Sequence, residues 1–321
     1  PGGILRPADS PGMRHRALQT FDTGLDWFAP GLRRVVAGIQ PDVVLCMGRM
    51  ANCRAGFLQE GRAGAPAVVA TLRTGKPLPW LYRRSLRRVR HIVANSRESR
   101  DRLLARQDLP SDRISVIPNA LAFPPPAVDA GDDAVRRVHG AGPATVVLLS
   151  VGMFRPEKNQ RELIEIAATL PGSPDLQLWL AGEGARLDAC RRLAARLGCG
   201  NRVKFLGFQA DPSALYAAAD VAVHASSSES LSNFLIEAQA HGRPFVAYAA
   251  QGVEECGLPG DTGFVIPRGD RTAFRAAVLR LAQEPAESRS ARRARAAGFA
   301  RETFAPDRAV ASYLGLFQRL T

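Results

Sequence analysis

Three stretches of the chain put cations, glycines and carboxylates where loops leave apolar runs. The first is Gly152-Met153-Phe154-Arg155-Pro156-Glu157-Lys158-Asn159-Gln160, which follows the run Val146 to Val151. A glycine at a strand end lets a ligand approach the backbone, and Arg155 and Lys158 stand where loop turns into helix, a position suited to an anion. The same residues also fit an ordinary strand-to-helix loop with solvated cations. The second stretch, Ala181-Gly182-Glu183-Gly184, either admits a base or ribose or is a plain tight turn. The third runs from Ser226 to Ala238. Its spacing places Glu229 in a loop and Glu237 about one turn inside a helix that Ser230 or Ser232 can cap and Gly242-Arg243-Pro244 ends. Both carboxylates can then face one cleft, with a helix N-terminus offering free N–H groups and a positive dipole between them. That layout suits a ligand with hydroxyls at both ends and phosphates in the middle, as in a nucleotide sugar. Two surface glutamates on an amphipathic helix are the plainer reading of the same pair.

The elements that must position these residues are short apolar runs alternating with amphipathic stretches, the pattern of parallel strands joined by crossover helices. Runs at Val43 to Met47, Ala67 to Thr71, His91 to Ala94 and Ile114 to Ile117 mark a first domain, residues 1–118. Pro118-Asn119, the prolines at 124, 125 and 126, and an acidic, Gly-rich stretch to Gly142 read as a linker over 119–143 with little regular structure. Runs at Thr145 to Val151, Leu176 to Ala181, Val203 to Leu206, Val221 to His224, Pro244 to Tyr248 and Gly263 to Ile266 define a second domain over 144–321. Helical segments fill its gaps, ending in a long one from about Thr272 that returns toward the first domain. The fold class is therefore α/β, two doubly wound parallel-sheet (Rossmann-like) domains facing a cleft where open α/β sheets bind ligands.

The chain has 321 residues, 46% of them hydrophobic, which excludes a disordered chain and a disulfide-stapled miniprotein. Lys and Arg number 43 against 30 Asp and Glu, so a partner carrying negative charge is expected. Only Lys76, Lys158 and Lys204 are lysines, so arginine abundance partly reflects compositional drift. Residues 73–106 hold eleven cations against Glu98 and Asp101, with Leu78, Trp80, Leu81 and Tyr82 near the start. That mixture suits an anionic membrane surface, and equally a solvated helix face with Trp80 in the core. No nucleic-acid-binding module accompanies the charge, and nucleic acid is not expected as a partner. Cys46, Cys53, Cys190, Cys199 and Cys256 have neither CxxC nor zinc spacing and read as free thiols in a reducing cytoplasm.

Four of these stretches, in this order, resemble the retaining nucleotide-sugar glycosyltransferases of the two-domain type B (GT-B) fold, in particular family 4. The carrying residues are Val-Ile-Pro-Asn at 116–119, Val-Gly-x-x-x-Pro-Glu-Lys-Asn at 151–159, Ala-Gly-Glu-Gly at 181–184 and Glu-Ser-Leu-Ser-Asn-Phe-Leu-Ile-Glu-Ala at 229–238. The resemblance covers Pro41 to about Arg308. It implies that Lys158 binds the donor diphosphate, that Glu229 contacts the transferred sugar and that Glu237 holds the ribose. It also implies that Leu231, Ser232 and Asn233 offer backbone N–H groups, and that Gly152, Glu183 and Gly184 lie along the donor. The family commonly has Arg where this chain has Met153, and Arg155 is expected to reach the same phosphates. The family's acceptor-domain histidine has no counterpart, so Arg73 and Thr74 are taken for that position. The family's usual first strand and Gly-rich loop are missing too, which reads as an N-terminal truncation or a short variant.

The resemblance implies transfer of a sugar from a nucleotide diphosphate sugar to a hydroxyl of a glycan or lipid-linked acceptor of the cell envelope. The nucleotide sugar is a co-substrate, and no metal or other cofactor is expected, consistent with the lack of Asp-x-Asp. The expected location is cytoplasmic, peripheral at the inner membrane. Two other readings fit the same fold: a sugar phosphorylase or nucleotide-sugar epimerase, and a chain that binds nucleotide or membrane without turnover.

Overall fold

A computed structural model describes residues 30–59, 65–122 and 132–321, together with Arg14, Leu18, Leu25 and Phe28. By internal contacts the chain divides into two compact units. The smaller holds the described residues up to Thr71 with Pro77–Val93 and Phe317–Thr321; the larger holds Leu72–Lys76 and Ala94–Leu316. The prolines at 124, 125 and 126 lie outside the described residues.

The first sheet draws on α1 (Leu32–Ile39), β1 (Val43–Cys46), α2 (Arg49–Leu58), β2 (Ala67–Leu72), α3 (Trp80–Leu86), β3 (His91–Ala94), α4 (Arg97–Arg106) and β4 (Ile114–Val116). Its strand order is β1-β2-β3-β4, and β1 runs parallel to β2. All four residues of β3 are buried. A strand covered on both faces has no polar alternation, so it reads as a continuous apolar run.

The second sheet follows α5 (Asp132–Val138). It is built from β5 (Val146–Val151), α6 (Gln160–Ala168), β6 (Leu176–Ala181), α7 (Leu187–Arg196), β7 (Val203–Gly207), α8 (Ser213–Ala218), β8 (Val221–His224), α9 (Asn233–Ala240), β9 (Phe245–Tyr248) and β10 (Gly263–Ile266). Helices α10 (Arg271–Ala282), α11 (Ala286–Thr303) and α12 (Pro306–Leu320) end the chain. The strand order is β10-β9-β8-β5-β6-β7, and every neighbouring pair is parallel. From β5 the chain winds outward through β6 and β7, then returns to place β8 on β5's other side and winds outward again. The reversal leaves a crevice beyond the carboxyl ends of β5 and β8, the place where such sheets bind ligands.

Alternate residues of β5 feed two separate cores. Val146 and Leu148 pack with Leu163, Ile164 and Phe274 on one face; Val147 and Leu149 pack with Trp179, Leu235 and Phe304 on the other. That double burial fixes the register of the strand whose end carries the Gly152–Lys158 loop, because a one-residue slip would exchange the two faces.

Two expectations are corrected. The acidic part of the linker contains α5, held by Arg136, whose guanidinium donates to the Ala218 carbonyl at 2.7 Å and pairs with Asp220 at 3.2 Å. Tertiary anchoring of this kind leaves no periodic signal in a helix of only two turns. The single long terminal helix is three helices, broken before Ala286 by Pro285 and restarted at Pro306. Proline lacks the N–H that a continuing helix needs but fits a first helical turn. No helix among the described residues is long and apolar enough to cross a membrane.

Leu149 is 1% exposed at the centre of this arrangement. Leu149→Ala is expected to lower unfolding free energy by about 2–5 kcal/mol, the range for large-to-small core substitutions. Urea unfolding followed by circular dichroism checks this, and a change below about 0.5 kcal/mol, the range of surface substitutions, would show that β5 is not the packed centre.

Candidate active site

The loops after β5 and β8 meet at a cavity of about 550 Å³ in the larger unit. Nine sequence-derived site residues line it: Arg155, Lys158, Glu229, Leu231, Ser232, Asn233 and Glu237, with Arg73 and Thr74. Gly152, Glu183 and Gly184 do not. These three belong to two loops that interlock with each other: the Gly152 N–H donates to Ala181 O at 2.9 Å and the Phe154 N–H to Glu183 O at 2.8 Å. Gly182 has φ +135° and a Cβ there would collide with the Gly152 carbonyl, so glycine is required for this close approach. A Cβ on Gly152 would meet nothing within 4 Å, which leaves open space beside the strand end.

Glu229 is the centre of the cavity's electrostatics. Its Oε1 accepts from Lys158 Nζ at 2.6 Å and from His224 Nε2 at 2.9 Å, and its side chain is only 10% exposed. Burial pushes this carboxyl upward, but the His224 hydrogen bond and the Lys158 ammonium outweigh it and bring its pKa down to about 2. Lys158 is an ammonium with three donors, and one is committed to Glu229.

Glu237 lies on α9, and its surroundings shift it in the opposite direction. Its Oε2 accepts from the Tyr216 hydroxyl at 2.5 Å, and burial raises its pKa above the ordinary value despite that bond. Between the two carboxylates stands the start of α9. Ser232 is the N-cap by position, yet its side chain makes no capping hydrogen bond, so the first N–H groups of the helix have no side-chain acceptor there. Ser230, the other expected cap, is turned away: its Oγ bonds Asn95 Oδ1 at 2.5 Å and Ser99 Oγ at 2.9 Å.

Several residues of the site had no expected role in it from the sequence. Asn119 accepts from Arg73 at 2.6 Å and donates to Asn233 Oδ1 at 2.6 Å, joining two of the expected positions. Lys76 pairs with Glu157 at 2.7 Å, next to Lys158. Gly75 leaves no room for a side chain, because a Cβ would run into the Glu229 carbonyl. His224 was readable only as the last residue of an apolar run. A polar side chain ending a buried strand at the crevice was its one signal.

Residues 132–299 match the family described as Glycosyl transferases group 1, and residues 10–122 match Glycosyltransferase Family 4. The first match alone covers just over half of the chain. The chain belongs to this glycosyltransferase family. Among curated relatives it is 37% identical over 135 residues to the lipopolysaccharide core biosynthesis glycosyltransferase LpsE of Rhizobium meliloti, covering 42% of this chain and 39% of that one. It is 34% identical over 240 residues to a D-inositol 3-phosphate glycosyltransferase of Actinosynnema mirum, covering 68% of this chain and 57% of that one. The chain thus spans between about two fifths and three fifths of the length of these relatives. Its fold is that of Anabaena HepE solved in complex with UDP, with a TM-score of 0.75 at 23% identity over 89% of this chain and 82% of that one. The Thermosynechococcus elongatus sucrose-phosphate synthase gives a TM-score of 0.74 at 20% identity, covering 90% of this chain and 76% of that one. The architecture is GT-B, as the sequence pattern implied.

In this chain a depressed carboxyl contributes stability that is present above its unfolded pKa and lost as pH falls through the folded one. For Glu229 that window runs from the ordinary 4.5 down to about 2 and corresponds to roughly 3 kcal/mol. Glu229→Gln is expected to flatten this part of the acid limb. Denaturant unfolding at a series of pH values compares the two proteins, and parallel acid limbs would remove Glu229 from the account.

Proposed function

We propose that this chain is a retaining glycosyltransferase that moves a sugar from a nucleotide diphosphate sugar to a hydroxyl of a cell-envelope acceptor. The observation that carries the reading is the Lys158–Glu229–His224 cluster beside the uncapped start of α9. Breaking the bond from anomeric carbon to diphosphate places negative charge on the leaving group, and preorganised cations and N–H dipoles lower that barrier. The remaining Lys158 donors, Arg155 and the N–H groups at Leu231, Ser232 and Asn233 meet that charge, with no metal ion as cofactor. The acceptor oxygen bonds to the anomeric carbon on the face the diphosphate leaves. Its proton passes to the departing phosphate oxygen, so no second carboxylate is needed as a base.

The two glutamates hold the ends of the donor. Glu229 uses Oε1 for both of its side-chain partners, which leaves Oε2 to accept from a sugar hydroxyl. Glu237 uses Oε2 for Tyr216 and keeps Oε1 for the ribose. Gly152, Glu183 and Gly184 lie beside the base, and Arg73 and Thr74 face the acceptor. The R. meliloti relative is named for lipopolysaccharide core biosynthesis, which supports an envelope glycan acceptor, and Anabaena HepE has been solved with UDP-glucose, which supports a nucleotide-sugar donor.

The enzyme acts in the cytoplasm at the inner face of the membrane, docked through α3. The basic run does not present one surface: Arg73 bonds Asn119, Lys76 pairs with Glu157, Arg97 with Glu255, and Arg102 bonds Gln251. Tyr82 is buried with its hydroxyl on the Thr71 carbonyl. Trp80 is 61% exposed, with the Arg84 guanidinium 5.3 Å from its ring centre, and Arg83, Arg87, Arg88 and Arg90 are exposed along the same stretch of chain. An exposed indole among arginines suits the headgroup region of an anionic leaflet.

Lys158→Ala is expected to lower kcat at least about 100-fold, the usual loss for one transition-state donor, with an unchanged circular dichroism spectrum. Assays use a panel of nucleotide sugars with a chelator present. Wild-type turnover in the variant would remove the leaving-group assignment, and binding without hydrolysis or transfer of any donor would favour a non-catalytic nucleotide-binding protein. Separately, the wild type is expected to float with liposomes containing anionic lipid at low salt, and Trp80→Ala combined with Arg84→Ala to float at least several-fold less. Equal flotation with neutral liposomes would sink the docking surface.

A further inference from the structure

Outside the active site, Arg155, Arg161, Arg186, Arg192 and Arg196 line a second cavity of about 450 Å³ in the larger unit, between the 155–161 turn and α7. No Asp or Glu lines it. Arg161 is matched by Glu165 at 2.7 Å. The other four guanidiniums have no hydrogen-bond or ion-pair acceptor among the described residues, whereas neighbouring Arg191 pairs with Asp188 and Arg202 donates to carbonyls.

The placement runs against local electrostatics. Arg186 is the N-cap residue of α7 and Arg161 sits in the first turn of α6, both at the positive ends of helix dipoles, where cations are disfavoured. Arg192 and Arg196 are one turn apart on α7, a like-charge spacing that opposes the helix. Ala189 and Leu193 share that face and form an apolar floor. Arg186 set against its helix dipole and the Arg192–Arg196 like-charge pair, all exposed on one cavity with no acceptor among the described residues, leave positive charge that the protein itself does not compensate.

We propose that this cavity is a second anion site for a soluble phosphate ester, separate from the donor site and sharing Arg155 with it. Guanidinium groups match phosphate oxygens in paired hydrogen bonds, and a phosphate ester carrying about two negative charges is met by Arg186, Arg192 and Arg196, with Arg155, which also feels the Glu157 carboxylate. The volume is that of a small-molecule site. Arg155 lines both cavities, so an occupant of the second site competes with the donor for its guanidinium. The second site itself stands independently of the transferase reading; only this competition rests on it.

Inorganic pyrophosphate titrated into the whole chain by calorimetry at low ionic strength, where charge attraction is least screened, is the test. Two binding events are expected in the wild type. Arg192→Ala combined with Arg196→Ala should weaken one at least tenfold and keep the other; Lys158→Ala should do the reverse; Arg155→Ala should weaken both. Arginine to alanine on an exposed helix face keeps helix propensity, and thermal unfolding confirms that each variant is folded. An unchanged isotherm in the α7 double variant overturns the site. An equal loss in Arg87→Ala combined with Arg88→Ala also overturns it, because that result means an adventitious ion only. An Arg155→Ala protein that loses a single event overturns the sharing. Heat is read and not turnover, so failure of the transferase reading leaves these outcomes distinguishable.

Discussion

A carboxylate that is 90% withdrawn from water stays ionised only if something nearby makes its charge favourable, and the site depends on how Glu229 meets that condition. Its two partners come from different strands: Lys158 from the loop after β5 and His224 from the last position of β8. They converge only because β5 and β8 are adjacent and parallel, with Leu148 opposite Val221 and Leu149 opposite Ala222. Strand order, register and the double core around β5 are therefore conditions on the charge state of one side chain. Removing one partner of such a buried pair costs more than the pair itself contributes, because a charge is left unmatched.

Glu229 and Glu237 are eight residues apart and their surroundings drive them in opposite directions. One is held charged by a cation and an imidazole; the other is raised by burial and bonded to a neutral hydroxyl. Carboxylates separated in this way serve different chemical purposes. In the transfer proposed above, a charged Glu229 next to Lys158 shapes the field where the leaving group would depart. Glu237, bonded through one oxygen, is suited to holding hydroxyls in place. The uncapped start of α9 lies between them, so the segment 229–238 carries both ends of a binding surface and its dipole.

The inner strands β3, β6, β8 and β9 were legible in the sequence because every residue of each is buried, and the loops because their residue types and order matched a known pattern. What failed was set by distant contacts. Helix α5 depends on Arg136 reaching Ala218 and Asp220, and no local signal announces that. Ser230 has the composition of a cap but is taken by Asn95 and Ser99. Tyr82 looked like part of an aromatic surface group and is buried, its hydroxyl bonded to the Thr71 carbonyl. His224 and Asn119 matter through what they touch, which composition does not report. Gly182 illustrates the converse: the motif was visible, yet its glycine answers first to the neighbouring Gly152 loop.

The net charge of +13 illustrates why a sum is a poor guide to partners. Much of the arginine is internal scaffolding. Arg202 donates to the carbonyls of Ala167 and Leu170 at the end of α6, a position where a cation also favours the helix dipole. Arg292 joins Glu284 and Asp261, and Arg271 bridges Glu162 and Glu165. These cations are matched inside the fold and attract nothing. The informative ones lie along the cavity beside α7, where Arg186, Arg192 and Arg196 have no acceptor among the described residues. Charge therefore bears on function through unmatched groups and their placement, and the same arginine-rich composition with every guanidinium paired would predict no anionic partner at all.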